Sequence, residues 1–237
     1  MSNVRRHMKL PPIHLDLHIS GLTGSNAYRY FKTTESSFLV ARELVDQFSA
    51  ASDYSQNKDD LYDSIFNATQ RAIIYSGMCI EATLFDLSLA LFGKSLATHV
   101  ERLDPLGKFF VLARLVNQRD PSTSGITYQA LKTVVGERNK LVHSKSTEYA
   151  DLDDLSPLIE GAERQGANLN RGLTYSYRSL VLLSMFFDGN IFEELRILPS
   201  FKKPDYWRSV IPAALHDEIH WCSRASKRER LPGKSDA

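Results

Sequence analysis

Apolar positions along most of the chain recur every three or four residues, the spacing of helices that turn one face to a core. The exception lies near the start. Ile13, Leu15, Leu17 and Ile19 alternate with His14, Asp16 and His18, which predicts a short strand or hairpin closed by Gly21 and Gly24. From Thr33 the pattern turns helical: Thr33 or Thr34 is expected to cap, Glu35 suits a first turn, and Phe38, Leu39, Leu44, Val45 and Phe48 follow. A polar stretch at 52–58 reads as a loop. A long helix is then predicted over 59–92, stopped by Gly93. Its second half, 72–92, is apolar on most sides and suits the centre of a bundle.

A short helix is expected at 96–103, and another led by Pro105 with Phe109, Phe110, Leu112 and Val116 inside. Residues 120–125 read as a loop and 127–145 as a helix. The acidic, then Gly- and Asn-rich stretch 151–170 reads as a surface connection. Residues 173–198 read as a strong helix. Pro199, Pro204 and Pro212 punctuate the remainder, which carries a short helix at 212–224 and a frayed basic end at 224–234. The expected fold is therefore an all-α bundle over 34–198, with an N-terminal extension (1–33) and a Pro-punctuated tail (199–237).

Composition narrows the function classes. The 237 residues are 43% hydrophobic and 24% charged, a balance that supports a buried core. The net charge of +1 offers no global field for nucleic acid, so any RNA contact must come from a local basic patch. Two cysteines cannot form a disulfide framework, and a reducing, cytoplasmic setting fits them best. No secretory signal is visible, and Glu81 and Asp86 interrupt the most apolar run, so no membrane association is expected.

Two charges sit where the pattern calls for apolar residues. In the helix over 127–145, Arg138 is spaced three and four residues from Val134, Val135, Leu141 and Val142, which places it in the middle of the buried face. A guanidinium there needs a partner. Glu81 lies among Met78, Cys79, Ile80, Ala82, Leu84 and Phe85 and has the same need, so the two are expected to meet across a helix interface. Asn139 and His143, four apart, share an adjoining face. His143 is rotated about 140° from Arg138 and lies about 7.5 Å further along the axis. Arg138 can hold a phosphate, His143 can move a proton near neutral pH, and Asn139 can orient either. An RNA's own 2′-hydroxyl would be the nucleophile, so this chemistry calls for no cofactor and no metal.

The segment Glu137-Arg-Asn-Lys-Leu-Val-His143 resembles the signature of the HEPN (higher eukaryotes and prokaryotes nucleotide-binding) superfamily, an Arg followed by four to six residues and a His, often with a polar residue after the Arg. The stretch 77–85, with its embedded Glu81, resembles that family's core helix. The resemblance spans roughly 34–198. It implies a helical bundle that dimerises with the motif at the interface. It further implies a metal-independent endoribonuclease of toxin–antitoxin or phage-defence type, with RNA as substrate and an antitoxin or second defence protein as further partner. Other members of the family have lost catalysis and serve as binding or dimerisation modules, which stands as the alternative. A helix whose Arg138 makes only a structural ion pair is the plainest account of the same residues.

Lesser candidates have simpler explanations. His216 and His220 lie four apart, but Asp217 rather than Glu follows the first, and no third metal ligand is evident, so a solvated helix face is expected. His14, Asp16 and His18 fit an exposed strand edge better than a metal site. Cys79, in apolar surroundings, reads as an inert buried thiol. The basic ends, Arg5-Arg6 and 224–230, read as solvated charge.

Overall fold

The computed structural model describes residues 25–51, 58–117, 120–143, 156–187, 195 and 197–230. The strand expected at 13–19, with His14, Asp16 and His18, lies outside them. Among the described residues the chain is all-α, with seven α-helices: α1 (Asn26–Ala50), α2 (Lys58–Val100), α3 (Pro105–Asn117), α4 (Ile126–Val142), α5 (Ser156–Phe186), α6 (Pro204–Val210) and α7 (His216–Arg230). A 3-10 turn, Ala213–Leu215, precedes α7.

α2 is the centre of the bundle, and α1, α3, α4 and α5 all pack against it. It is long and apolar enough to cross a membrane by length and composition, yet 61% of its most apolar 18-residue stretch is buried inside the bundle. Gly93 breaks it, with φ 74° and ψ 173°, a conformation that residues bearing a Cβ rarely adopt. α3 begins where the Asp104 carboxylate accepts from the backbone N–H groups of Leu106 and Gly107, both at 2.9 Å, with Pro105 in the first turn. Phe109 ties α3 to the end of α5 through Phe186 and Phe187, at ring separations of 4.8 and 6.0 Å. Aromatic pairs of this kind add about 0.5–1.5 kcal/mol each beyond simple burial.

Four boundaries differ from expectation. α1 starts at Asn26, well before the expected Thr33 or Thr34 cap, because Ser25 caps it: its hydroxyl accepts from Ala27 N at 3.1 Å and donates to Asp86 of α2 at 2.5 Å. Ala27, Phe31, Thr34, Phe38 and Ala41 then form one buried stripe. Residues 156–170 are helical rather than a surface connection. Extending a helix already anchored by packing needs no new nucleus, so Gly161 and Gly166, at about 1 kcal/mol each, do not stop it. α5 ends at Phe186, not at 198, and Ile197 and Leu198 are buried in irregular chain. The basic end is helical to Arg230 rather than frayed, because Leu215, Ile219 and Cys222 share the core with α5 and Ser226 is buried too.

Candidate functional site

α4 presents Thr127, Ala130, Leu131, Val134 and Val135 to the core. The stripe continues, by three- and four-residue steps, onto Glu137, which is 5% exposed. Arg138 therefore lies at the edge of the buried face, not in its middle as expected. Leu141 is half-buried and Val142 is 52% exposed, so the stripe has left the core by the last turn. Gly172 of α5 packs against both neighbours here, tightly on α2 and at ordinary contact distance on α4. A Cβ on Gly172 would lie 2.6 Å from Ile73 Cδ1 and 3.4 Å from Glu137 Cβ.

The Arg138 stem crosses α2 over Gly77, where a Cβ would lie 3.0 Å from Arg138 Cγ. Glu81 is one turn further along the same face of α2. Arg138 Nη1 donates to Glu81 Oε1 at 3.1 Å and Nη2 to Oε2 at 3.3 Å, a side-by-side fork. The contact expected between these two charges is thus present, with side-chain exposures of 23% for Arg138 and 34% for Glu81. Nη1 also donates to Asn139 Oδ1 at 3.2 Å. Nε is buried with no hydrogen-bond partner among the described residues.

A groove of about 370 Å³ opens beside this pair. Its walls include Tyr30, Met78, Glu81, Phe85, Arg138 and Val142. Asn139 and His143 do not line it. Both are exposed, and His143 occupies the C-cap of α4, its N–H donating to Asn139 O at 2.9 Å. Within one chain, then, Arg138 is brought to Glu81 and to Asn139, while His143 stands outside the groove on the adjoining surface.

Spacing arguments missed a second ion pair. Glu137 accepts from Arg171 Nη2 of α5 at 2.9 Å and from Lys140 Nζ at 3.0 Å. Arg171 also donates to Asn168 Oδ1 at 3.3 Å. The interval from Ala130 through Val134 to Glu137 carried the signal. The consecutive residues Glu137 and Arg138 therefore bind α4 to α5 and to α2 respectively.

The other candidates resolve simply. His216 and His220 set their rings edge-on to Trp207, at 4.9 and 5.5 Å, and His216 Nε2 lies 3.2 Å from Ile211 O. His216 is half-buried against α6, while His220, though beside Trp207, is exposed, as is Asp217, so the solvated face expected here holds for that side of the helix. Glu218 pairs with Arg178 at 2.6 Å and Arg42 at 3.2 Å. No group of three or more His, Cys, Asp or Glu suited to a metal occurs among the described residues. Cys79 Sγ donates to Ala27 O at 3.3 Å, and burial pushes its thiol up to about 12, so it carries almost no thiolate at neutral pH. No family model, curated protein or solved structure matches the chain.

Proposed function

We propose that this chain is a metal-independent endoribonuclease of HEPN type, built as a symmetric dimer in which two copies of the α4 end form one site. Arg138 would hold the scissile phosphate and stabilise its developing charge. His143 would take the proton from the RNA 2′-hydroxyl as that oxygen bonds to phosphorus. The imidazolium of the second copy would protonate the departing 5′-oxygen, leaving a cyclic phosphate and a free hydroxyl. Asn139, already hydrogen-bonded to Arg138, would keep the guanidinium turned outward, and Glu81 would fix its plane. The setting would be toxin–antitoxin or phage defence, and the compartment cytoplasmic. The observation that carries the proposal is a guanidinium held by a two-point fork at a groove, with an exposed imidazole one turn further along the same helix.

A second reading, a non-enzymatic HEPN-like module, has its own support. Both Nη atoms of Arg138 are occupied by Glu81, and His143 does not line the groove in the single chain. The test is incubation of labelled RNA with the pure protein and EDTA, beside His143→Ala and Arg138→Ala, with the mass in solution measured in parallel. The nuclease proposal expects cleavage by a dimer that survives chelation and falls about 10²–10⁴-fold in His143→Ala. Because His143 is exposed, that variant should keep its fold. Cleavage unchanged by His143→Ala, or a monomer with no cleavage, overturns the proposal in favour of the module.

A further inference from the structure

Another charge continues a buried stripe, in the last helix. In α7, Ile219, Cys222 and Ser226 are buried at steps of three and four residues. The next step is Glu229, half-buried and one residue from the end of the helix. An acid on that stripe needs a partner. It finds one on α4, the helix that carries Arg138 and His143, at the end remote from both. Thr127 Oγ1 donates to Glu229 Oε2 at 2.8 Å, and the Thr127 N–H donates to the same oxygen at 3.4 Å.

The start of α4 is built to receive that carboxylate. Its N-cap is Gly125, which brings no side chain to the first N–H groups of the helix. The Gly125 N–H is itself used, donating to Ser122 O at 3.0 Å. A Cβ on Gly125 would run into Glu229 Oε1, so glycine leaves the carboxylate its place. Thr127 is 1% exposed, and a hydroxyl so deeply buried needs an acceptor. The positive end of the α4 dipole favours a negative partner at the same point. Charge and shape thus match between two segments 102 residues apart in sequence.

We propose that Glu229 is a latch: it caps α4 from another helix, so that the first turn of α4 and the last turn of α7 open and close as one unit. α4 is then held twice, by Glu137 and Arg138 in its C-terminal half and by Glu229 at its start. The last helix of the bundle thereby sets how firmly the helix bearing Arg138 and His143 is seated. Displacing that last turn releases the start of α4 and leaves the fork on α2 untouched. The proposal is independent of any ribonuclease activity.

Amide hydrogen exchange, resolved by residue on the full chain, gives the assay. Glu229→Ala should speed exchange of the Thr127, Gln129 and Ala130 amides about 3–30-fold, the span of a lost cap, and leave Ile80 and Leu84 in the middle of α2 unchanged. Thr127→Val keeps the branched shape and removes the hydroxyl. It should speed exchange across 226–229 on the other helix, because a coupling between two segments is reciprocal. Gly125→Ala, which pushes the carboxylate out, should reproduce the Glu229→Ala pattern and add less than about twofold to it in the double variant. The proposal is overturned if Glu229→Ala leaves 127–130 within about twofold of the parent, or speeds all protected amides alike. It is overturned equally if Thr127→Val leaves 226–229 unaltered, or if the Gly125 and Glu229 effects simply add.

Discussion

The Arg138–Glu81 fork permits a quantitative test of whether α4 and α2 are coupled by charge or merely packed. The perturbation is a double-mutant cycle of Glu81→Ala, Arg138→Met and the pair. Methionine keeps much of the stem that crosses Gly77, so the cycle isolates the guanidinium. Hydrogen bonds to charged groups contribute about 1.5–3 kcal/mol, and exposed ion pairs only about 0.2–1 kcal/mol. With 23% and 34% side-chain exposure the pair lies between these regimes, so a coupling of about 1.5 kcal/mol is expected. Glu81→Ala should cost more than that, about 2 kcal/mol, because it leaves a half-buried guanidinium whose Nε has no partner among the described residues.

The assay is urea unfolding followed by far-UV circular dichroism, with thermal melts beside it. For a chain of this size a loss of about 2 kcal/mol lowers Tm by about 4–8 °C. Partial burial should also preserve most of the coupling at about 0.5 M salt, where a surface pair would fade. A coupling below about 0.3 kcal/mol, the level at which distant sites add independently, would refute the reasoning. It would mean that the fork is a contact without energetic consequence.

Three further outcomes follow from the same geometry. Glu137→Ala should destabilise by about 2–3 kcal/mol in urea unfolding, since it strips both Arg171 and Lys140 of a buried acceptor; a loss under about 0.5 kcal/mol would contradict that. Gly93→Ala should cost about 1–3 kcal/mol through backbone strain alone, because nothing lies within 4 Å of the added Cβ, and a neutral result in thermal melts would place the break elsewhere. Burial lifts the Glu35 carboxyl above its ordinary 4.5, with the Lys32 hydrogen bond working the other way, so the folded state holds the extra proton and stability falls as pH rises through that window. Glu35→Gln should therefore be neutral or stabilising in urea unfolding at pH 8 and should flatten that fall, whereas a loss above about 1 kcal/mol would show that the Lys32 pair outweighs desolvation.

Charges set inside apolar runs were legible from residue order alone: Arg138 and Glu81 each violate a helical stripe, and the violation is resolved when they meet. Gly93 was legible because its break needs a residue without a Cβ. The start of α1 was not, since the glycines at 21 and 24 and the alternation before them drew the boundary too late. Ser25 marks it only in company with Asp86, a residue of another helix. Glu137 escaped notice because it stands between Gly136 and Arg138 in a run that looks polar, although its spacing from Ala130 and Val134 is core spacing.

The order Glu137-Arg138 explains how a short helix end is held. Adjacent residues on an α-helix point about 100° apart, so two neighbouring charges of opposite sign can each reach a different partner helix. Here the acid goes to Arg171 on α5 and the base to Glu81 on α2, and the last turn of α4 is pinned from both sides. His143 comes immediately after that turn, at the C-cap, exposed and outside the groove. The immobilised group and the free group are thus separated by a single turn of one helix. That division suits a site in which a fixed guanidinium locates a phosphate and an imidazole adjusts to pass protons. It suits a purely structural clamp only if the exposed histidine has no task. This is why removal of His143, rather than of Arg138, divides the two readings: it tests the chemistry while leaving the clamp intact.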